Sequence, residues 1–323
     1  MMINKIILVF TLLVFKLSYG QITTTKIPQK VEITDEKPYD GAINFLGKDV
    51  HKYIGEELYL NGKSKSLQGF GYEGFLINYK KDDTFNKSNR YKCCDGSNSK
   101  YEELVGKYFT VLDVISHPKA TTEEYLYKNV SFLKLQERES KDIVYFKYNS
   151  EYEHSFPFIT VKYFNKVRNS EVGKKFVIRG FNWSLPNPSM VDVKTGNPVS
   201  DFTAGSVWEC TDITIEERYF NLALILKNDR GEEILLSNKF SKSNSFVFPL
   251  DIAKLYEEKF GKEIWLDILK GNMRLGMTKE MCEISWGKPK DINRTITKGN
   301  NSEQWVYKDN YLYFDNGVLT AIQ

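Results

Sequence analysis

Residues 276–289 read GMTKEMCEISWGKP, a stretch with a complete set of signals for one short helix. Thr278 is a suitable N-cap, and Glu280 lies in the first turn, where a carboxylate interacts favourably with the helix dipole. Gly287 suits the left-handed position that follows many helices, and Pro289 prevents the helix from continuing. A helix of about two turns must be held by tertiary packing, because its own propensity is too weak.

Residues 304–318 read QWVYKDNYLYFDNGV and predict strands that pack on this helix. Bulky residues alternate along the stretch, as they do in strands with one buried face. Asn316-Gly317, between Phe314 and Val318, is a strong signal for a two-residue hairpin turn. We therefore expect residues 251–323 to form a C-terminal α+β helix–hairpin domain. Its first segment is a linking helix, because apolar residues recur there at helical spacing.

The same residues resemble the BamE/SmpA/OmlA-type small domain of bacterial envelope proteins, which shares its α+β design with β-lactamase inhibitor proteins. The resemblance covers roughly residues 268–323. The positions that carry it are Gly276, Met277, Thr278, Cys282, Trp286, Gly287, Pro289, Trp305, Tyr307, Phe314 and Gly317. Cys282 stands where that family usually has a branched aliphatic residue, and Trp286 stands where it usually has leucine.

The resemblance implies a domain that binds protein or serves as a structural adaptor and has no catalytic residues. It also implies that Cys282 is a core thiol. The envelope lipoproteins of that family are acylated on a cysteine, whereas the residue directly after the predicted cleavage site of this chain is Gln21. A role in outer-membrane assembly machinery therefore does not follow from the resemblance.

The N-terminus predicts export. Lys5 supplies a positive start, residues 6–15 form an apolar run, and Ser18-Tyr19-Gly20 is a cleavage site, so residues 1–20 read as a signal peptide cleaved after Gly20. The run is shorter than the ~20 apolar residues that a spanning helix needs, which favours a cleaved signal over the alternative, a retained N-terminal anchor. We expect a secreted or periplasmic protein with no membrane-spanning segment after signal cleavage.

The charge of the mature chain argues against nucleic acid as a partner. Without Lys5 and Lys16, the 45 basic residues fall to 43, against 42 acidic ones. These charges are mixed along the chain, whereas nucleic-acid binding needs a basic patch or stripe.

The middle of the chain repeats itself. Leu104–Val111 aligns with Glu171–Ile178, and Tyr53–Leu60 is a weaker copy. Further on, Leu133–Leu135 aligns with Leu224–Leu226, and each opens a pair of apolar runs around a polar turn, the pattern of a β-hairpin. The mature chain also exceeds the ~100–200 residues of one domain. We predict mainly β tandem modules, each a small barrel or sandwich.

The repeats and the composition together predict the organisation of the whole chain. The segments are a signal peptide (1–20), a flexible leader (21–48), β modules at 49–100, 101–166 and 167–250, and the BamE-like α+β domain with its linking helix (251–323). A proline-rich segment at 182–203 reads as a long loop in the third module. A functional loop and a tolerated insertion both remain open for it.

Four cysteines are too few to form a disulfide framework that stabilises a chain of this length. Cys93 and Cys94 are adjacent and could bridge each other, or one of them could pair with Cys210. Free or partly buried thiols are the simplest expectation, because cysteine is among the most buried residue types.

Patterns for catalysis and metal binding are incomplete in this sequence. The three histidines are too sparse for a metal cluster, and turn-like surroundings predict that His117 and His154 are exposed. Paired glutamates such as Glu56-Glu57 read as solvated surface. We therefore expect no catalytic residue, no metal site and no cofactor.

The sequence favours a non-catalytic cell-envelope protein that acts as a protein-binding or scaffolding module. Its partner would be another envelope or secreted protein, with carbohydrate as a further candidate ligand. Candidate binding-surface residues are Trp183, in the proline-rich loop, and Tyr311 and Tyr313, near the last hairpin. Two alternatives stay open: a periplasmic hydrolase with a Glu/Asp pair between β modules, and an inhibitor of a secreted enzyme.

Overall fold

The computed structural model of this chain describes residues 38–81, 86–180, 191–199, 203–216, 221–238 and 247–323. These residues form mostly antiparallel β-sheets, together with helices that concentrate near the C-terminus. Within these ranges, no helix has the length and apolar character needed to span a bilayer. The predicted signal peptide, residues 21–37 of the leader and Trp183 lie outside the described residues.

The first unit of the fold is a six-stranded antiparallel sheet with a separate two-stranded hairpin. The strands are β1 (Glu57–Leu60), β2 (Phe75–Leu76), β3 (Cys93–Asp95), β4 (Asn98–Ser99), β5 (Tyr108–Ser116), β6 (Val130–Glu137), β7 (Ile143–Asn149) and β8 (Phe158–Thr160). In space the large sheet runs β2-β7-β6-β5-β1-β8, and β3 pairs with β4. One-turn helices connect some of them: α1 (Lys65–Gln68), α2 (Tyr101–Leu104) and α3 (Glu124–Tyr127).

This sheet corrects the predicted boundary between the modules 49–100 and 101–166. Strand β1 pairs with both β5 and β8, so strands from the two predicted modules share one sheet. They also share one hydrophobic core, in which Phe75 packs against Phe109 and Phe158. The two ranges form one unit because long-range strand pairing, which a local repeat does not encode, joins them.

The second unit begins with a helix and continues as a five-stranded antiparallel sheet. Its elements are α4 (Val161–Glu171), β9 (Lys175–Ile178), β10 (Val207–Glu216), β11 (Asn221–Lys227), β12 (Glu233–Ser237) and β13 (Val247–Pro249). In space the strands run β12-β11-β10-β9-β13. The helix begins after Thr160, whose hydroxyl oxygen accepts a hydrogen bond from the Tyr163 backbone N–H and so caps it.

The two units have the same topology and the same register. Strands β1, β5, β6, β7 and β8 of the first unit take the places of β9, β10, β11, β12 and β13 in the second. The pair Val111–Leu135 corresponds to the pair Cys210–Leu226, and a β-bulge follows it in both units. Strand β2 has no counterpart among the described residues.

This topology decides between the sequence alignments. Tyr53–Leu60, the weaker copy, is the structural equivalent of Glu171–Ile178, because β1 and β9 hold the same place in their sheets. Leu104–Val111 leads into β5 instead, and the counterpart of β5 in the second unit is β10. The hairpin alignment of Leu133–Leu135 with Leu224–Leu226 agrees with both strand registers.

All three copies nevertheless share one local structure, a tight turn between a helix and a strand; the helix of the first copy is a 3₁₀ helix, Gly47–Tyr53. Gly55, Gly106 and Gly173 have φ angles of 84°, 76° and 87°. The residue before each glycine has φ between −63° and −55° and ψ between 125° and 133°. These angles define a type II turn, which needs positive φ at its third residue. The copies look alike in sequence because they encode this turn.

The third unit, residues 250–323, combines helices with a four-stranded sheet. Its elements are α5 (Leu250–Phe260), α6 (Lys262–Lys270), α7 (Lys279–Trp286), β14 (Asp291–Thr297), β15 (Asn300–Val306), β16 (Tyr311–Asp315) and β17 (Val318–Ile322). The strands form a meander in chain order. The predicted linking helix and the helix after Thr278 are both present. Helix α6 was not predicted, because Gly261 reads as the end of a helix and α6 begins immediately after it.

The units pack head to tail, in the same way at both junctions. In the first unit, Tyr59 of β1 and Ile159 of β8 pack into the core of the second unit. Val177 and Phe248 hold the equivalent places in β9 and β13, and they pack into the core of the third unit. Successive side chains of a strand point to opposite faces, so one strand pair serves two cores.

Candidate binding surface

The predicted motif fixes helix α7 to its sheet. Thr278 caps the helix as predicted, because its side-chain oxygen accepts a hydrogen bond from the Met281 N–H at 3.3 Å. Met277 and Cys282 are buried in the core of the unit. The Gly276 N–H donates to the Leu319 carbonyl at 2.8 Å and ties the segment before the helix to β17.

Aromatic residues hold the end of α7. Gly287 is the C-cap, with φ of 82° but ψ of −174°, so the predicted left-handed helical conformation is wrong in ψ. Trp286 is half-buried, and its indole N–H donates to the Gly271 carbonyl at 2.7 Å. The Tyr307 ring meets Trp286 edge-on at 5.4 Å, and its hydroxyl donates to the Gly287 carbonyl. Pro289 follows, and the chain then enters β14.

The last hairpin turns where the sequence predicts. Asn316 and Gly317 have φ angles of 49° and 86°, as a type I′ turn requires. On the inner face of the sheet, Trp305 and Phe314 are buried with ring centroids 4.8 Å apart. The motif residues therefore lie together in one unit, where they cap helix α7, form the last hairpin turn and pack in the core.

One buried carboxylate of this unit was missed at the sequence level. Glu303 of β15 is 7% exposed and lies 2.8 Å from the Lys279 ammonium and 3.2 Å from the Arg294 guanidinium. It also accepts a hydrogen bond from the Trp305 indole N–H at 3.0 Å. The hydrogen bond from Lys279 contributes most to holding the pKa of Glu303 below its ordinary value. No local signal marks this site, because only the packing of α7 brings Lys279 to Glu303.

The outer face of the four-stranded sheet is largely exposed and carries a row of joined polar side chains. The Asn293 amide donates to Gln304 at 2.9 Å, and the Gln304 amide donates to the Tyr313 hydroxyl at 3.0 Å. The Tyr313 hydroxyl in turn donates to Gln323 at 2.7 Å. Tyr311 lies two residues before Tyr313 on the same face and is 39% exposed. The structure thus brings two of the three predicted binding residues onto one surface.

The cysteines divide into one bridge and two core thiols. Cys93 and Cys94 form a disulfide with each other, so the expectation of free thiols is wrong for this pair. Cys210 and Cys282 are free and buried, as expected. Burial raises the pKa of each thiol to about 12, and these thiols therefore stay protonated and unreactive at neutral pH.

Two residues predicted at the surface are buried instead. His117 is 5% exposed and stacks face to face on Tyr127 at 3.9 Å. Glu56 is buried at the junction of the first unit with α4, where its carboxylate accepts a hydrogen bond from the Lys162 ammonium at 2.7 Å. Burial raises the pKa of Glu56. His154 is exposed, as predicted.

An open cleft of about 310 Å³ lies in the first unit. Lys63, Tyr72, Glu73, Tyr152 and His154 are among its lining residues, and Glu73 is the one carboxylate in that lining. The Lys63 ammonium lies 5.0 Å from the centre of the Tyr72 ring and donates to the Gly71 carbonyl. A hydrolase that uses two carboxylates would need a second acid at this cleft.

Within the described ranges, no group of three or more His, Cys, Asp or Glu side chains is placed to hold a metal ion. Comparisons with protein-family models, with curated proteins and with solved structures find no match to this chain. The resemblance to the BamE-type domain therefore stays a prediction from its motif residues.

Proposed function

We propose that this chain is an exported, non-catalytic cell-envelope protein that binds another envelope or secreted protein through its third unit. The exposed outer face of the β14–β17 sheet is the observation that carries this proposal. Helix α7 and the aromatic core close one face of the sheet, whereas the other presents amide groups, hydroxyls and the Tyr311 ring. Tyrosine is enriched at protein interfaces because its ring buries a large area and its hydroxyl can still bond.

The junction between the second and third units supports the scaffolding part of this proposal. Val177 and Phe248 of the second unit are buried in the core of the third. Arg179, just after β9, donates to the carbonyls of Ile268 and Ser285. These carbonyls lie in the last turns of α6 and α7, where the helix dipole attracts a cation. The preceding units therefore hold the third unit, and the signal peptide predicted at 1–20 would place it outside the cytoplasm.

Capture with a matched pair of surface variants tests the proposal. The full chain would serve as bait for envelope extracts, followed by reconstitution with the purified partner. We expect Tyr311→Ser to weaken binding of that partner about tenfold or more, as loss of an interface tyrosine does. Tyr125→Ser, which removes a 94% exposed tyrosine in the first unit, should leave binding unchanged. Equal binding by both variants and the wild type would contradict the proposal.

Inhibition of a secreted enzyme is a second candidate function. Tyr311 is the first residue of β16 and directly follows the turn between β15 and β16, so its exposed ring could enter a cleft on an enzyme. An inhibitor would lower the activity of its purified partner at a one-to-one ratio, whereas a scaffold would bind without that effect. The hydrolase alternative is less supported, because Glu56, the buried acid at the junction of the first two units, is paired with Lys162.

A further inference from the structure

Among the residues that the structure describes, the four-stranded sheet of the third unit has one closed edge and one open edge. At β17, the segment before α7 covers the edge: the Leu319 N–H donates to the Met277 carbonyl at 2.8 Å, and the Lys279 N–H donates to the Gly317 carbonyl at 3.3 Å. At the other end, β14 pairs with β15 and occupies the outer position of the sheet. Its seven residues read DINRTIT.

The backbone of β14 alternates between its partner strand and the open edge. The Ile292 N–H donates to the Asp291 carboxylate at 2.8 Å, which places that N–H on the side away from β15. Backbone groups alternate in direction along an antiparallel strand, so those of Arg294 and Ile296 also point to the open edge. On β15, Asn301 lies opposite Ile296. The Asn301 carbonyl accepts a hydrogen bond from the Asn316 N–H of the β16–β17 turn, so it points away from β14. This agrees with an Ile296 backbone that points to the open edge.

The edge lacks two features that usually prevent strand addition, a proline and a bulge, and its one inward-facing charge, Arg294, is already paired with Glu303. Native edge strands are commonly protected by proline, by a bulge or by inward-pointing charges. Strand β14 has no proline, and its register with β15 is continuous over all seven pairs. Ile296 is 77% exposed, and Ile292 is partly buried against the core of the unit. An added strand could therefore place apolar side chains beside both isoleucines.

The charge around this edge is positive. Glu303 is shared between Lys279 and Arg294, so one carboxylate faces two cations. The Arg294 side chain remains 62% exposed. Along residues 288–298 the charged side chains are Lys288, Lys290, Asp291, Arg294 and Lys298, four basic against one acidic.

We propose that β14 binds an extended acidic segment of a partner protein by strand addition. The segment carries Asp or Glu opposite Arg294 and a large apolar residue two positions to either side, next to Ile292 and Ile296. Backbone hydrogen bonds supply affinity in this mode of recognition, and the side chains supply specificity. A second copy of β14 fits less well, because two-fold pairing centred on Arg294 would place two arginines opposite each other. This inference rests on the proposed function and names the chemistry of the partner.

Binding of a synthetic peptide to the full chain tests the proposal. The probe has seven residues, with valine at positions 2 and 6, glutamate at position 4 and threonine elsewhere. We expect saturable binding and protection of the Arg294 and Ile296 backbone amides from hydrogen exchange. The same peptide with lysine at position 4 should bind about tenfold more weakly or worse, because like charges would then meet at Arg294.

Two pairs of variants locate the site. Ile296→Pro removes an outward N–H but no β14–β15 hydrogen bond, which is the position where edge strands accept proline. It should weaken binding by about tenfold or more, whereas Ile296→Thr, which keeps the N–H, should change binding by less than about threefold. Arg294→Glu should reverse the preference in favour of the lysine peptide, and Lys298→Glu, in the adjacent turn, should not.

The outcomes separate this inference from the proposed function. Equal binding of the two peptides, or binding that neither Ile296→Pro nor Arg294→Glu changes, would overturn it. A dimer of the full chain that Ile296→Pro dissociates would also overturn it, since a second copy would then occupy the edge. If the partner lost in Tyr311→Ser binds normally to Ile296→Pro and Arg294→Glu, the proposed function stands and only the edge site fails.

Discussion

Single buried polar residues in this protein close turns and join elements. Glu137 is 1% exposed, and its carboxylate accepts hydrogen bonds from the N–H groups of Glu139 and Ser140 in the β6–β7 turn. Asn228 holds the same place in the second unit and accepts from the N–H groups of Arg230 and Glu232. The equivalent turns of the two units therefore both have a buried side-chain acceptor, a carboxylate in one and an amide in the other.

Glu303 differs from Glu137 and Asn228 because the negative charge of its carboxylate contributes to the stability of the fold. The pKa of Glu303 is lowered in the folded chain, so its ionisation stabilises the fold above its ordinary pKa of 4.5, and this stabilisation is lost as pH falls through the folded-state pKa. We expect Glu303→Gln to lower the free energy of unfolding by about 1.5–3 kcal/mol at pH 7, the range for hydrogen bonds to charged groups. Urea unfolding should show a constant difference down to about pH 5 and a smaller one below.

Glu280→Gln is the matched control for that prediction. Glu280 pairs with Lys259 at 2.6 Å, but both side chains are about half exposed, at 49% and 54%. Exposed ion pairs contribute roughly 0–1 kcal/mol, so this variant should unfold almost like the wild type. A pH-independent loss of stability in Glu303→Gln would show that the effect is packing and not charge.

At the scale of elements, the helix–turn–strand connection recurs at three places with one backbone geometry. In each copy the residue after the glycine donates to the carbonyl three residues before it: Glu56 to Tyr53, Lys107 to Leu104 and Lys174 to Glu171, at distances between 2.8 and 3.1 Å. The turn reverses the chain at the end of the helix and starts the strand two residues after the glycine. The same local sequence pattern therefore marks three helix-to-strand connections of this chain.

Glycine substitutions test whether these turns are equivalent. Gly55→Ala and Gly173→Ala should each lower the free energy of unfolding by about 1–2 kcal/mol, because alanine is strained at positive φ. A Cβ at either position would meet no atom within 4 Å, so the cost is conformational and should be similar at both. Gly69→Ala, at φ of −63° and equally unobstructed, should be neutral or slightly stabilising. Unequal costs at Gly55 and Gly173, measured by thermal unfolding, would contradict their equivalence.

At the scale of the whole molecule, neighbouring units share a strand pair at each junction, so a change in a junction residue should affect the stability of both units. Phe248 of β13 is 1% exposed and packs against Trp265 of α6 at 5.2 Å between ring centroids. Ile159 holds the equivalent place one unit earlier and packs into the second core. Each β-unit thus completes its own core with one face of a strand pair and contributes to the next core with the other.

Phe248→Ala tests this coupling. Removing a buried phenylalanine costs about 3–5 kcal/mol. Because Phe248 belongs to the second sheet and to the third core, hydrogen exchange should accelerate in both units. Leu312→Ala, also fully buried but confined to the third unit, should accelerate exchange there alone. Exchange that rises in only one of the two units of Phe248→Ala would mean that the junction does not couple them.

Much of the third unit and of the hairpins was predictable, and much of the candidate surface was not. The Thr278 cap, the Asn316-Gly317 turn and the hairpin alignment follow from residues within a few positions of one another. The surface around Tyr311 was predicted from aromatic alternation, but its polar row was not, since it joins side chains of separate strands and of the C-terminal residue. Glu56, His117 and Glu303 appeared exposed or went unnoticed because the groups that bury them are distant in sequence.

The sequence by itself determined the turns, the caps, the hairpins and a mainly β chain with a helical segment near its end. Only the tertiary structure decided that residues 49–100 and 101–166 form one sheet and that Tyr53–Leu60 is the counterpart of Glu171–Ile178. The physical reason is separation along the chain: residues 61–107 lie between β1 and its partner β5, so no local pattern records their pairing. The open edge of β14 was not predictable for the same reason, because the pairing of all the other strands decides which strand lies at the edge of the sheet.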